Sequence, residues 1–281
     1  MIRLRSALSR SGNVGPRSAL VSWFRRWQGG LDDRGRRIIG WIKRRLELLA
    51  LVWLAFVVLV AALKMSARAV PLADLRDFAE MAFPYYLIAF APLAGYYLGR
   101  AAFRRNRRQP STRLAFLGRW KPLSYKSARQ HRAFGASGLL VTLLIGLLFG
   151  VAMRTVEFAL SVPALNAHAP DWAFGLYLIA GAEVAVMNFL YMICFVMALR
   201  RVPLFPRMLL FVWLVDLASQ LALARYYARL GLPDAATEAL TTMLTNNANA
   251  VLLGVAIWLP YLILSERVNV TFRHRAPLRV G

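Results

Sequence analysis

LELLALVWLAFVVLVAAL, from Leu46 to Leu63, holds one acid, Glu47, and no base. As a helix at roughly 1.5 Å per residue it rises about 27 Å, close to the roughly 30 Å of a bilayer's hydrocarbon core. Five similar blocks follow, at Phe83–Phe103, Phe134–Met153, Ala173–Leu199, Arg207–Ala224 and Ala248–Ser265. They are continuous apolar runs, not the ten-residue alternation of a membrane barrel strand, so they predict helices. The fold expected is an all-α integral membrane protein, a bundle of six transmembrane helices.

The bulk composition agrees. Of 281 residues, 59% are hydrophobic, above the roughly 45–50% of soluble domains, and the mean hydropathy is +0.49. The net charge of +23 would suggest nucleic acid on a soluble protein. Here the cations lie between apolar blocks, which points to anionic lipid and to membrane orientation, with nucleic acid rated low. Thirty of the 36 Lys and Arg fall in residues 1–45, 100–133, 200–207 and 266–281, and six in the alternating segments. By the positive-inside rule both termini are expected in the cytoplasm. Arginine far outnumbers lysine, a compositional hint of a GC-rich bacterium, so the expected location is a bacterial inner membrane. The long basic stretch ahead of Leu46 reads as the flank of a signal anchor, not as a cleavable signal.

The expected division is a basic leader over 1–45, a two-helix extension over 46–103, a basic cytoplasmic loop over 104–131, a four-helix membrane domain over 132–275 and a tail over 276–281. In the leader, Trp23, Arg25, Arg26 and Trp27, then Trp41, Arg44 and Arg45, interleave aromatics with cations, the composition of a segment lying among headgroups. Ordinary positive-inside flanking accounts for such a segment about equally well. Pro92 is expected to kink the second helix, and Pro203 and Pro206 to make a tight connection between the fourth and fifth.

Near the end, Ala256-Ile257-Trp258-Leu259-Pro260-Tyr261 runs into Ser265-Glu266-Arg267-Val268-Asn269-Val270-Thr271-Phe272. This run resembles the signature of a bacterial membrane family known as domain of unknown function 2569. Its members typically show Ile-Trp-Ile-Pro-Tyr, then Ser-Lys-Arg-Val-Lys and a Thr-Phe pair. The basic, proline-bearing run from Arg200 to Arg207 resembles it as well. The likeness covers about residues 132–275 and implies a four-helix membrane fold with no established activity. Glu266 and Asn269 stand where the family has lysines. Independently of the resemblance, Trp258 and Tyr261 suit a membrane interface and Arg267 can reach headgroup phosphates.

Two carboxyls lie deep inside the blocks, Glu183 about ten residues into the fourth and Asp216 about nine into the fifth, both near mid-bilayer. A charge there costs at least about 2.5 kcal/mol on insertion scales. The short link between these helices makes them antiparallel neighbours, so the two acids can meet. Asn188, Gln220 and Asn249 are candidate hydrogen-bond partners, and Arg154 and Arg225, near the outer helix ends, could each answer one acid. A structural clamp is favoured over an ion pathway. Gly95 with Gly99, and Gly146 with Gly150, form Gly-x-x-x-Gly spacings expected to be helix-packing faces.

Catalytic sets fail. Gly135-Ala136-Ser137-Gly138 resembles the serine motif of rhomboid proteases, but His131, His168 and His274 all lie outside the blocks, where none could serve as its base. No metal-ligand spacing, P-loop or dinucleotide motif is present, and the lone Cys194 lies in an apolar block. The chain is expected to be no enzyme and to need no cofactor. The partners expected are the bilayer, anionic phospholipids and other membrane proteins of a complex. The function expected is a scaffold or accessory subunit, with a small proton- or ion-coupled carrier as the alternative.

Overall fold

A computed structural model describes residues 33–103, 109–110 and 117–278. Trp23, Arg25, Arg26 and Trp27 lie outside the described residues. Among the described residues six helices are long and apolar enough to span a membrane. They are α2 (Leu46–Ser66), α3 (Leu75–Ala102), α5 (Leu139–Ser161), α6 (Asp171–Leu199), α7 (Phe205–Tyr227) and α8 (Asp234–Leu264). Shorter pieces complete the fold: α1 (residues 33–44), α4 (Tyr125–Gln130), α9 (Glu266–Arg273), and the three-residue strands β1 (Trp120–Pro122) and β2 (Arg275–Pro277). The six expected blocks are all helices. The largest difference is α8, which begins at Asp234 and not near Ala248.

Helix α6 is the axis of the bundle. Its apolar window is 56% buried, against 6% for α2 and 11% for α8. It packs on α3, most extensively, and on α5 and α7, while α2 lies against α3 and α5, and α8 against α7 and α5. Two glycines explain the close fit with α3. A methyl group at Gly95 would stand 2.6 Å from the Phe189 carbonyl oxygen, and one at Gly181 would stand 2.5 Å from Cβ of Pro84. Both distances lie well inside van der Waals contact, so only a hydrogen fits. Gly99 abuts Val196 at 3.3 Å by the same measure. Around Gly146 and Gly150 the space is open, so of the two spacings only the first is an internal packing face.

The connections gather at two ends. At one, Asn166 Nδ2 donates to the Pro71 carbonyl at 2.9 Å, Ala167 N–H donates to Glu80 at 2.9 Å, and His168 Nε2 lies 3.2 Å from Asp77. The other end is a polar cap built from segments remote in sequence. β1 and β2 pair antiparallel, Lys121 opposite Ala276, and Leu123 N–H donates to the His274 carbonyl at 2.8 Å. The Arg201 guanidinium lies over the Phe134 ring at 5.0 Å. Helix α1 joins the same end: Gly35 faces Gly138 and Val141, and Ile39 and Ile42 are buried in the main core.

Among the described residues the regular structure is helical apart from this small ribbon, and described residues of the 104–131 segment and of the tail pack against the end of the membrane domain. The ribbon was not foreseen because three-residue strands carry no hydrophobic period.

Asn269 pins the cap. Fully buried, it donates from Nδ2 to the carbonyls of Ile263 and Ser265, at 2.9 and 3.0 Å, and accepts from Arg273 at 3.1 Å. These bonds occupy carbonyls at the break between α8 and α9. Burial, with Arg275 and Arg207 nearby, pushes the Arg273 guanidinium down to about 10, so it stays charged at neutral pH. Asn269→Ala is expected to destabilise the protein by about 1–3 kcal/mol, the cost of stranding buried polar groups. A lowered unfolding midpoint in detergent is the readout, and an unchanged midpoint would deny the pin.

Candidate functional site

Near the middle of the bundle, α5, α6 and α7 each present polar side chains at a common depth. Glu183 sits near the middle of α6 and Asp216 near the middle of α7. Arg154 comes from α5, seven residues before its end. The sequence reading ended this block at Met153, but the helix continues to Ser161, which places Arg154 within the apolar layer.

Arg154 answers both acids. Nη1 donates to Glu183 Oε1 at 2.8 Å, and Nη2 donates to Asp216 Oδ1 and Oδ2 at 2.9 and 2.7 Å. Asp216 is fully buried, and the Arg154 and Glu183 side chains are about one-tenth exposed. Tyr191 O–H donates to Asp216 Oδ2 at 2.6 Å. Gln220 Nε2 donates to Glu183 Oε1 at 3.0 Å, and the Ser219 hydroxyl lies 3.3 Å from the same oxygen. Asn188 lies one layer away, donating to the Thr155 hydroxyl at 3.1 Å, which in turn donates to the Val151 carbonyl.

The expected candidates are thus partly assembled. Glu183, Asp216 and Gln220 share one cluster and Asn188 flanks it. Asn249 and Arg225 are exposed. Sequence reasoning missed Tyr191, Ser219 and the dual role of Arg154. The available signal was Arg154 itself, a cation followed by the helix-compatible run Thr155–Ser161.

One guanidinium with five N–H donors can serve two carboxylates at once, as one lysine ammonium would do less well. Stranding any one of these charges in hydrocarbon would cost several kcal/mol. Held together, they fix the register of three helices. The cluster sets one cation against two carboxyls. Gln220 Oε1 and Asn188 Oδ1 are buried acceptors without a donor among the described residues.

A lateral cleft of about 230 Å³ opens between α5 and α8 beside Gly146, Gly150 and Gly254, and Arg154 and Tyr191 form part of its lining. Asn247 of α8 also borders it.

The interfacial candidates divide. Trp41 is 49% exposed, and Arg44 and Arg45 are also exposed. Trp258 and Tyr261 are half-buried, stacked edge to face at 5.8 Å. Arg267 donates to the Ser137 hydroxyl, so the rhomboid-like serine is held by an arginine of the cap. Glu266, at a position where the family has lysine, lies 3.7 Å from His131. Among the described residues no group of three or more His, Cys, Asp or Glu side chains could hold a metal.

Comparison with known proteins matches residues 135–273 to the model of a family described as protein of unknown function (DUF2569). The matched region holds α5 to α9, hence the whole Arg154 cluster, and agrees with the span expected from the resemblance. No curated protein and no solved structure matches the chain.

Proposed function

From a multipass membrane chain whose C-terminal part matches that family of unknown function, we propose a structural subunit: a scaffold or accessory component of a membrane protein complex, with its basic cap turned to the cytoplasm and to anionic lipid. In a bacterium this places it in the inner membrane, with both termini inside. The observation that carries the reading is the Arg154–Glu183–Asp216 clamp, in which the ionisable groups of α5, α6 and α7 are paired with one another. The distribution of cations supports the orientation.

Native mass spectrometry after extraction in mild detergent tests the reading. The expected result is a heteromeric mass containing a fixed number of this chain and one defined membrane protein. A lone chain that, reconstituted in vesicles, moves protons or cations would overturn it.

That second outcome is the carrier reading, which one observation favours. The cluster sets one cation against two carboxyls beside an open cleft, an arrangement with a place for a proton or a monovalent cation. If so, Glu183→Gln should abolish vesicle uptake while the protein keeps its unfolding midpoint. Uptake unchanged in that variant would end the carrier reading.

A further inference from the structure

We propose that a second cleft, between α2 and α3 at the capped end, holds one anionic glycerophospholipid, with its phosphate at Lys43, Arg44 and Arg100 and an acyl chain along the wall beneath. The proposal rests on the anionic-lipid part of the reading above and gives it a specific site.

The cleft measures about 460 Å³, within the roughly 300–1,000 Å³ of typical ligand sites. Its two ends differ in chemistry. At the mouth, Lys43 and Arg44 come from α1 and Arg100 from the last turn of α3, with Glu47 as the one carboxylate among the lining residues. Arg200 and Arg201 approach from the α6–α7 connection. They and partial burial push the Lys43 ammonium below the usual lysine range, burial having the larger effect. A phosphate at this mouth would relieve that mutual repulsion. Lys43, Arg44 and Arg100 line the same mouth because α1 runs into α2 through a bend at Arg45 and is anchored in the core by Ile39 and Ile42.

Below the mouth the wall is carbon: Leu93, Leu148, Met192 and Phe195, with Trp53 at the far end. The Trp53 indole N–H is already committed to the Ala89 carbonyl at 2.9 Å, so the ring meets the cleft with carbon. A basic mouth over an apolar body between two membrane helices is the complement of a charged headgroup on an acyl chain. Basic pockets between membrane helices are known to take anionic headgroups in this way. A zwitterionic lipid meets the same wall but presents the mouth with no net negative charge. A soluble phosphate compound would leave the body empty.

The test is native mass spectrometry of the delipidated full chain mixed with phosphatidylglycerol or with phosphatidylcholine. One phosphatidylglycerol per chain is expected to survive gas-phase activation that strips phosphatidylcholine. Lys43→Gln with Arg100→Gln should lower the affinity for phosphatidylglycerol about thirtyfold, two cations each acting on one phosphate, and the retained fraction with it. Ala50→Trp, which fills the body and leaves every cation in place, should lower it as much. Unfolding midpoints show whether each variant is folded. A photoreactive acyl chain on the unmutated protein should label Trp53 or Met192, which needs no variant. Retention lost in the cation variant but kept in Ala50→Trp would overturn the site while leaving a charged lipid-facing surface intact. Equal retention of the two lipids would overturn both.

Discussion

Arg154→Met is expected to remove about 3–5 kcal/mol of stability, the usual cost of breaking a buried ion pair by deleting one partner. The variant keeps most of the side-chain volume and loses three hydrogen bonds, one to Glu183 and two to Asp216. Both carboxyls then face hydrocarbon with only Tyr191, Gln220 and Ser219 for company. Since typical domains have only about 5–15 kcal/mol in total, much of the protein should aggregate on extraction. The remainder should unfold at a clearly lower temperature, read by size-exclusion chromatography after heating. The triple variant Arg154→Met, Glu183→Gln, Asp216→Asn separates charge from packing. Replacing a whole buried ionic group with neutral residues is often tolerated, so the triple variant should regain most of the loss. The size of that recovery measures the coupling among the three residues. A triple variant as weak as the single one would mean that the methylenes of Arg154, not its charge, hold the bundle. A single variant as stable as the parent would remove the clamp as the support of the scaffold reading.

The clamp also shows what the sequence could and could not reveal. Its two acids were legible because a carboxyl in the middle of an apolar block is rare and costly, and a short connection makes their helices neighbours. Arg154 was legible as a partner for one acid, but its depth and its hold on both acids were hidden for a physical reason. Arg154 and Glu157 lower the local hydropathy at the end of the apolar run, yet the helix continues because a guanidinium paired twice no longer pays the full cost of its burial. The early start of α8 was hidden in the same way. Thr241, Thr242, Thr245, Asn246 and Asn247 give residues 241–247 a polar look, while Leu240, Met243 and Leu244 from the same stretch are buried in the second core cluster with Tyr227. Period carries that information and average hydropathy does not. The cap was hidden more deeply. Its strands pair Trp120 with Pro277 across four membrane helices, and no local pattern encodes a contact at that separation. The lipid cleft has the same origin: Lys43 and Arg100 read as ordinary flanking charge until the packing of α2 against α3 brings them to one cleft.

The paired glycines allow the second large effect to be isolated, because the two spacings are alike in sequence and opposite in structure. Gly95→Leu should disrupt the α3–α6 interface. The first added carbon alone would lie 2.6 Å from the Phe189 carbonyl oxygen and 3.2 Å from Met192 Cβ. The nearest atom is backbone of the central helix, which cannot rotate away, so the two helices must separate. Overpacking typically costs about 1–3 kcal/mol and more where backbone must move. Here it also undoes the close approach that substitutes for a hydrophobic driving force between helices in lipid. The expected result is loss of monodisperse protein, with Gly95→Ala showing a smaller drop in unfolding midpoint in the same direction. Gly146→Ala and Gly150→Ala, with nothing within 4 Å of the added carbon, should leave the midpoint of the isolated chain unchanged. If those two variants instead lower the yield of the heteromeric complex without touching the chain's own stability, the open face between α5 and α8 is where the partner helix lies. If Gly95→Leu proves harmless, α3 does not depend on contact with α6, and the two-helix N-terminal part is held to the matched domain by the cap and not by the membrane interior.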